Sequence, residues 1–94
     1  MSMTFSEKNE YNKCISNGEW HISYAENYER NHYFSDAKGH YFRAMECFKQ
    51  AYQIAREADD YLQNEADSKY RNAEKNFHDI GYRAYEYEQQ NLRK

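Results

Sequence analysis

Apolar residues in the second half of the chain recur at alternating steps of three and four, at Tyr41, Ala44, Phe48, Ala51, Ala55, Ala58 and Leu62. A second run repeats the rule at Ala66, Tyr70, Ala73, Phe77, Ile80, Ala84 and Tyr87. That spacing sets one apolar stripe on one face of each of two α-helices. It predicts a central helix over 37–62 and an outer helix over 66–91.

The central helix is apolar beside its stripe as well, with Cys47, Ile54 and Tyr61 on one flank and Met45 and Tyr52 on the other. So wide a face requires contact on two sides. One side takes the outer helix; the other takes an N-terminal helix or a second copy of the chain. The outer helix is narrow, flanked by Lys69, Asn76 and Arg83 and by Glu74 and Glu88.

Two connections fit the stripes. A turn at Gln63-Asn64-Glu65 pairs the helices antiparallel, with Tyr41 opposite Tyr87, Ala44 opposite Ala84, Phe48 opposite Ile80, Ala51 opposite Phe77, Ala55 opposite Ala73 and Ala58 opposite Tyr70. Alternatively one helix runs from 37 to 91, and the stripe slips one position near Leu62. The acidic and amide residues Asp59, Asp60, Asn64 and Asp67 favour the break.

Upstream, Trp20, Tyr24 and Tyr28 at four-residue steps predict a helix over 19–34. Ser35-Asp36 offers a cap for the next helix. Residues 1–18 are weakly patterned. Thr4 and Glu7 have capping-box spacing for a short helix, and Ser16-Asn17-Gly18 reads as its stop. A β-hairpin across 14–22 competes, because Asn-Gly suits a type I′ turn. The expected fold is all-α: an antiparallel, coiled-coil-like helical hairpin with one or two shorter N-terminal helices, in a single domain over 1–94. The absence of proline and the near absence of β-branched residues point the same way.

Composition turns attention to association. The aliphatic core residues are few, and eleven Tyr, five Phe and one Trp take their place. A short chain with so thin a core gains from oligomerisation. Met45, Cys47, Tyr52, Ile54 and Tyr61 are the expected self-association residues. Tyr82, Tyr85, Tyr33, Phe34 and Phe42 are surplus to the stripes and are the expected partner-binding residues, since tyrosine is enriched where proteins meet.

Net charge is −3 with the signs mixed, which gives no basic stripe for direct nucleic-acid binding. No apolar run approaches the roughly 20 residues of a membrane span. Cys14 and Cys47 lack metal-site spacing, and the chain opens without a hydrophobic signal core, so two reduced thiols in a cytoplasmic protein are expected.

Catalytic motifs are weak. Glu29-Arg30-Asn31-His32 has the Glu-x-x-His spacing of di-iron bundles, but such a site needs two copies and two further Glu. Only self-association would double it, into an oligomeric metal-binding bundle. His21, His32, His40 and His78 have no zinc-site spacing. Glu74 and His78 are neighbours one helical turn apart, and read as a surface contact. No enzyme, no metal and no cofactor is expected.

Gly39-His40-Tyr41-Phe42-Arg43-Ala44, with Phe48 and Ala51 following, resembles the second helix of a tetratricopeptide repeat, which implies an adaptor or chaperone cradling a client protein. The preceding helix departs from that pattern at His32 and Ser35, and no second copy appears, since Ala44 would map onto His78. In size, polarity and lack of catalytic residues the chain is similar to small helical proteins of phages and mobile elements, such as antirepressors. The expected function is therefore sequestration or inhibition of another protein, with a DNA-binding regulator as one candidate partner.

Overall fold

The computed structural model describes residues 2–55 and 59–92, and within them the chain is all-helical, with α1 at Phe5–Arg30, α2 at Phe34–Ala55 and α3 at Asp60–Leu92. The molecule is a thin rod of 60 × 17 × 13 Å. α2 is the shared element, packing extensively against both α1 and α3.

The start of α1 follows the capping box: the Glu7 amide donates to Thr4 Oγ1 at 3.1 Å, and the Thr4 amide donates to Glu7 Oε1 at 2.8 Å. The helix then runs through Ser16-Asn17-Gly18 without a stop, which corrects both the expected break and the rival β-hairpin. Gly18 is buried, and a Cβ there would lie 2.7 Å from Phe48 Cζ. The missing side chain makes room for a ring from α2. Near the start of the chain, Met3 and Tyr11 are buried against Ala51, Ala55 and Ala66.

α1 ends at Arg30, earlier than the expected boundary at 34. Asn31 caps it, and the Asn31 side chain donates to the Asn27 carbonyl at 2.9 Å. His32 then adopts φ 66°, the left-handed region that costs a non-glycine residue about 1–2 kcal/mol. Its ring stacks on Tyr87, with centroids 3.9 Å apart, which offsets that cost. α2 begins at Phe34, three residues before the expected 37.

Asp59 is not helical, and its carboxylate accepts from the Leu62 amide at 3.0 Å, an N-cap contact for α3. α2 and α3 are therefore separate helices, which corrects the single helix over 37–91. Leu62, expected at the end of the central helix, stands in the first turn of α3. The pairing of Ala58 with Tyr70 lies outside the described residues.

Three clusters fill the core. Ala51, Ala55 and Ala66 pack with Met3 and Tyr11; Ala44, Phe48 and Ala73 form the middle; Ala37, Tyr41 and Ile80 pack with Ala25. The order along α2 is the reverse of the order along α1 and along α3. The stripe register also differs from the expected one: Tyr41 meets Ile80 rather than Tyr87, Phe48 meets Ala73 rather than Ile80, and Ala55 meets Ala66 rather than Ala73. Each partner moves by one heptad, so stripe still faces stripe. The earlier start of α3 requires the shift, and it carries the last turns of α3 past α2 to the α1–α2 joint, where Tyr87 contacts His32 and Phe34.

Candidate functional site

The open side of α2 and α3 forms a shallow groove. One part, lined by Phe42, Met45, Glu46, Lys49 and Gln50, has a volume of about 490 Å³. It continues through Lys49, Gln53 and Tyr70 into a second part of about 490 Å³ that reaches Tyr52 and Asp67. Phe42, at 46% exposed, and Tyr52, at 39%, leave much of their ring surface to solvent. Phe42 is steadied by Phe77 at a centroid distance of 5.8 Å, and Lys38 lies over the other aromatic partner, 5.2 Å from the Phe77 centroid. Burial, and then the charge of Glu74, hold the Tyr70 phenol above its ordinary pKa, so it enters contacts as a neutral donor.

The residues expected to bind partners do not form one surface. Phe42 lies in the α2–α3 groove. Phe34 is half-buried against the cluster of Ala25, Ala37, Tyr41 and Ile80. Tyr33 is exposed at the joint, edge-on to Tyr28 at 6.4 Å. Tyr82 and Tyr85 line a separate concavity with Glu86, Gln89 and Gln90, and Glu86 holds the Tyr82 phenol above its ordinary pKa.

The expected self-association residues divide as well. Met45 and Tyr52 line the groove, Tyr61 is exposed, and Ile54 packs inward against the cluster of Met3, Tyr11 and Ala51. Cys47 is a half-buried free thiol, as is Cys14; burial pushes both above the ordinary thiol pKa, and the charge of Cys14 adds to the effect at Cys47.

The α1–α2 face carries what spacing within one helix did not reveal. Trp20 and Tyr24 are exposed and tilt against each other at 5.6 Å. Tyr24 contacts His40 at 5.4 Å, Tyr28 stacks on His40 at 5.4 Å, and His21 Nδ1 lies 3.0 Å from His40 Nδ1. Cys14 with Cys47, His21 with His40, and Tyr28 with Tyr33 are successive pairs one heptad apart, like facing like across antiparallel segments. That register was the signal available in the sequence.

Between α1 and α3 a polar concavity of about 450 Å³ contains Glu26, Glu29, His32, Tyr41, Asn76 and Arg83. Arg83 Nη2 donates to Glu29 Oε1 at 2.9 Å, and Tyr41 Oη donates to the same oxygen at 2.9 Å. Arg83 Nε lies 2.7 Å from Oε2, near enough for charge attraction, but its N–H is not aligned for a hydrogen bond. Glu29 is thus occupied by a cation and a phenol. His32 lies beyond the helix end, so the Glu-x-x-His pair does not share a helical face.

Among the described residues no group of three or more His, Cys, Asp or Glu side chains gathers to hold a metal ion, and no helix is long and apolar enough to cross a membrane. Comparison with known protein families, curated proteins and solved structures finds no match to this chain.

Proposed function

We propose that this chain is a non-catalytic binding protein that captures another protein and inhibits it by occupation, in the manner of a small cytoplasmic antirepressor. The observation that carries the reading is the continuous α2–α3 groove, in which Phe42, Met45, Tyr52 and Tyr70 present aromatic and apolar surface without closing over it. A groove between two helices accepts the apolar face of a third, an established mode of peptide recognition. Glu46, Lys49 and Asp67 set mixed charge at its edge and orient the incoming segment. If the partner is a DNA-binding regulator, occupying its helix blocks DNA contact or assembly.

The reading uses α2 and α3 as an antiparallel hairpin, supported by the reversed order of the core clusters along them. The same groove, with Tyr61 beyond it, also suits self-association. The proposal assigns no catalytic residue, metal or cofactor.

The test is affinity capture with tagged chain from host lysate, using wild type, Phe42→Ala/Tyr52→Ala and Tyr82→Ala/Tyr85→Ala. A stoichiometric partner retained by wild type and lost by the groove variant, with helical circular dichroism unchanged, is the expected result. A partner held equally by the groove variant removes the groove, and loss only with Tyr82 and Tyr85 moves the site to the end of α3. No partner at all, together with concentration-dependent self-association in sedimentation, replaces inhibition with assembly.

A further inference from the structure

His21 on α1 and His40 on α2 meet through their Nδ1 atoms at 3.0 Å, both half-buried. Their ring centroids are 5.2 Å apart, which is that nitrogen separation plus about one imidazole ring radius at each end. The nitrogens therefore oppose each other head-on, and the rings are only 28° from parallel. A metal ion held at about 2.1 Å by both nitrogens would need their lone pairs to converge on a third point, so this geometry suits a shared proton and not a chelated ion.

We propose that His21 and His40 form an acid-sensitive latch between α1 and α2, closed by one shared proton and opened by a second.

With both rings neutral, one Nδ1–H donates to the other Nδ1. One added proton leaves that bond in place and makes it charge-assisted. A second proton puts a donor and a positive charge on both sides of a 3.0 Å contact, and the hydrogen bond becomes a repulsion. The two protonation steps belong to the pair rather than to either ring.

The surroundings do little to relieve the second charge. Tyr24 and Tyr28 on α1 cover His40 with neutral rings. Arg43, one turn beyond His40 on α2, adds a positive charge that acts on His21. Asp36, one turn before His40, makes no ion pair with it. Burial, then the charge of His40, then Arg43 each push His21 below its ordinary pKa.

The sign follows from linkage. The unfolded chain takes up these protons near the ordinary imidazole value of about 6.5, whereas the closed latch resists the second one. The latch is strongest while the pair holds a single added proton and is lost as the pH falls through the second step, below the ordinary value. The seam it guards is the one packed by Ala25, Ala37 and Tyr41.

The test is urea unfolding of the full chain from pH 7.5 to 5.0 for wild type, His21→Gln, His40→Gln and the double variant. His32 and His78 are common to all four, as are the carboxylates, so their titration cancels in the comparison. Once the pair holds one added proton, further acidification should lower the wild-type folding constant about tenfold more than that of the double variant for each pKa unit by which the second proton is held down. Parallel pH profiles would overturn the proposal. Should a variant fail to fold, imidazole nitrogen NMR of wild type decides: coupled titration in two steps, the second below the ordinary range and raised by Arg43→Gln, supports the latch, and two independent ordinary titrations refute it.

Discussion

Phe48 packs its ring directly against the backbone of Gly18, so that α1 and α2 approach each other at their middles through an absent side chain. The contact explains why a residue with high helix cost stands inside a helix of 26 residues. It also makes the three glycines unequal: nothing lies within 4 Å of a Cβ placed on Gly39 or Gly81.

Alanine at the three glycines should therefore give opposite signs. Gly→Ala in a helix interior contributes about 1 kcal/mol of stability, which Gly39→Ala and Gly81→Ala should show nearly in full. At Gly18 the new methyl meets a ring buried on all sides, and overpacking costs about 1–3 kcal/mol. Gly18→Ala should be net destabilising by about 1 kcal/mol, read as a lower urea midpoint at unchanged slope. Equal stabilisation at all three positions would mean that the ring moves aside at no cost.

The Glu29 carboxylate joins three elements, accepting from Tyr41 on α2 and Arg83 on α3 while rooted in α1. Both charged side chains are about one quarter to one third exposed, at 24% and 32%, which lowers the energy of the pair but does not abolish it. Glu29→Ala strands a guanidinium and a phenol together and should cost about 1–3 kcal/mol. Arg83→Met leaves Glu29 its tyrosine and should cost less. A double-mutant cycle between Glu29 and Arg83 should return a coupling of about 1 kcal/mol. Strict additivity of the two substitutions would show that the pair is geometric only.

Much of this architecture was legible because α2 and α3 each keep one stripe with helical period. The heptad register was not: moving one stripe past the other by seven residues puts stripe on stripe again, so the pattern cannot choose between Ile80 and Tyr87 as the partner of Tyr41. The observed register goes with the early start of α3, where Asp59 caps the helix by accepting from the Leu62 amide. Gly18 is ambiguous in the sequence for a related reason. A glycine that ends a helix and one that makes room for Phe48 look alike until the opposing helix is known. Trp20 and Tyr24 have the spacing of a packed face, but period fixes only that they share a face, not that the face is covered. The His21–His40 contact escaped because metal and catalytic spacings are counted within an element, whereas these two residues meet across two. Of the expected partner-binding residues, Phe42 lines the groove beside the expected self-association residues Met45 and Tyr52, and Tyr82 and Tyr85 line a separate concavity. Sequence spacing carried no information about which exposed rings would be neighbours.

Alkaline titration should unfold the chain through two buried phenols. Tyr11 Oη donates to the Leu62 carbonyl at 2.8 Å, and Tyr41 Oη donates to Glu29 at 2.9 Å. Burial is the main reason that both hold their protons well above the ordinary tyrosine range; the Glu65 charge adds to it for Tyr11 and the hydrogen bond to Glu29 for Tyr41. In the unfolded chain both ionise near the ordinary value of about 10. Their contribution to stability is thus complete below that pH and declines as the pH rises above it, because unfolding then releases protons. Of the eleven tyrosines, Tyr11 and Tyr41 should ionise only in a late cooperative step that coincides with loss of helical circular dichroism, followed by ultraviolet absorbance of tyrosinate. Tyr11→Phe/Tyr41→Phe should remove that step and move the alkaline unfolding midpoint upward. Ionisation of all eleven phenols in one phase with the helices intact would contradict the burial that α1 and α2 impose on these two rings.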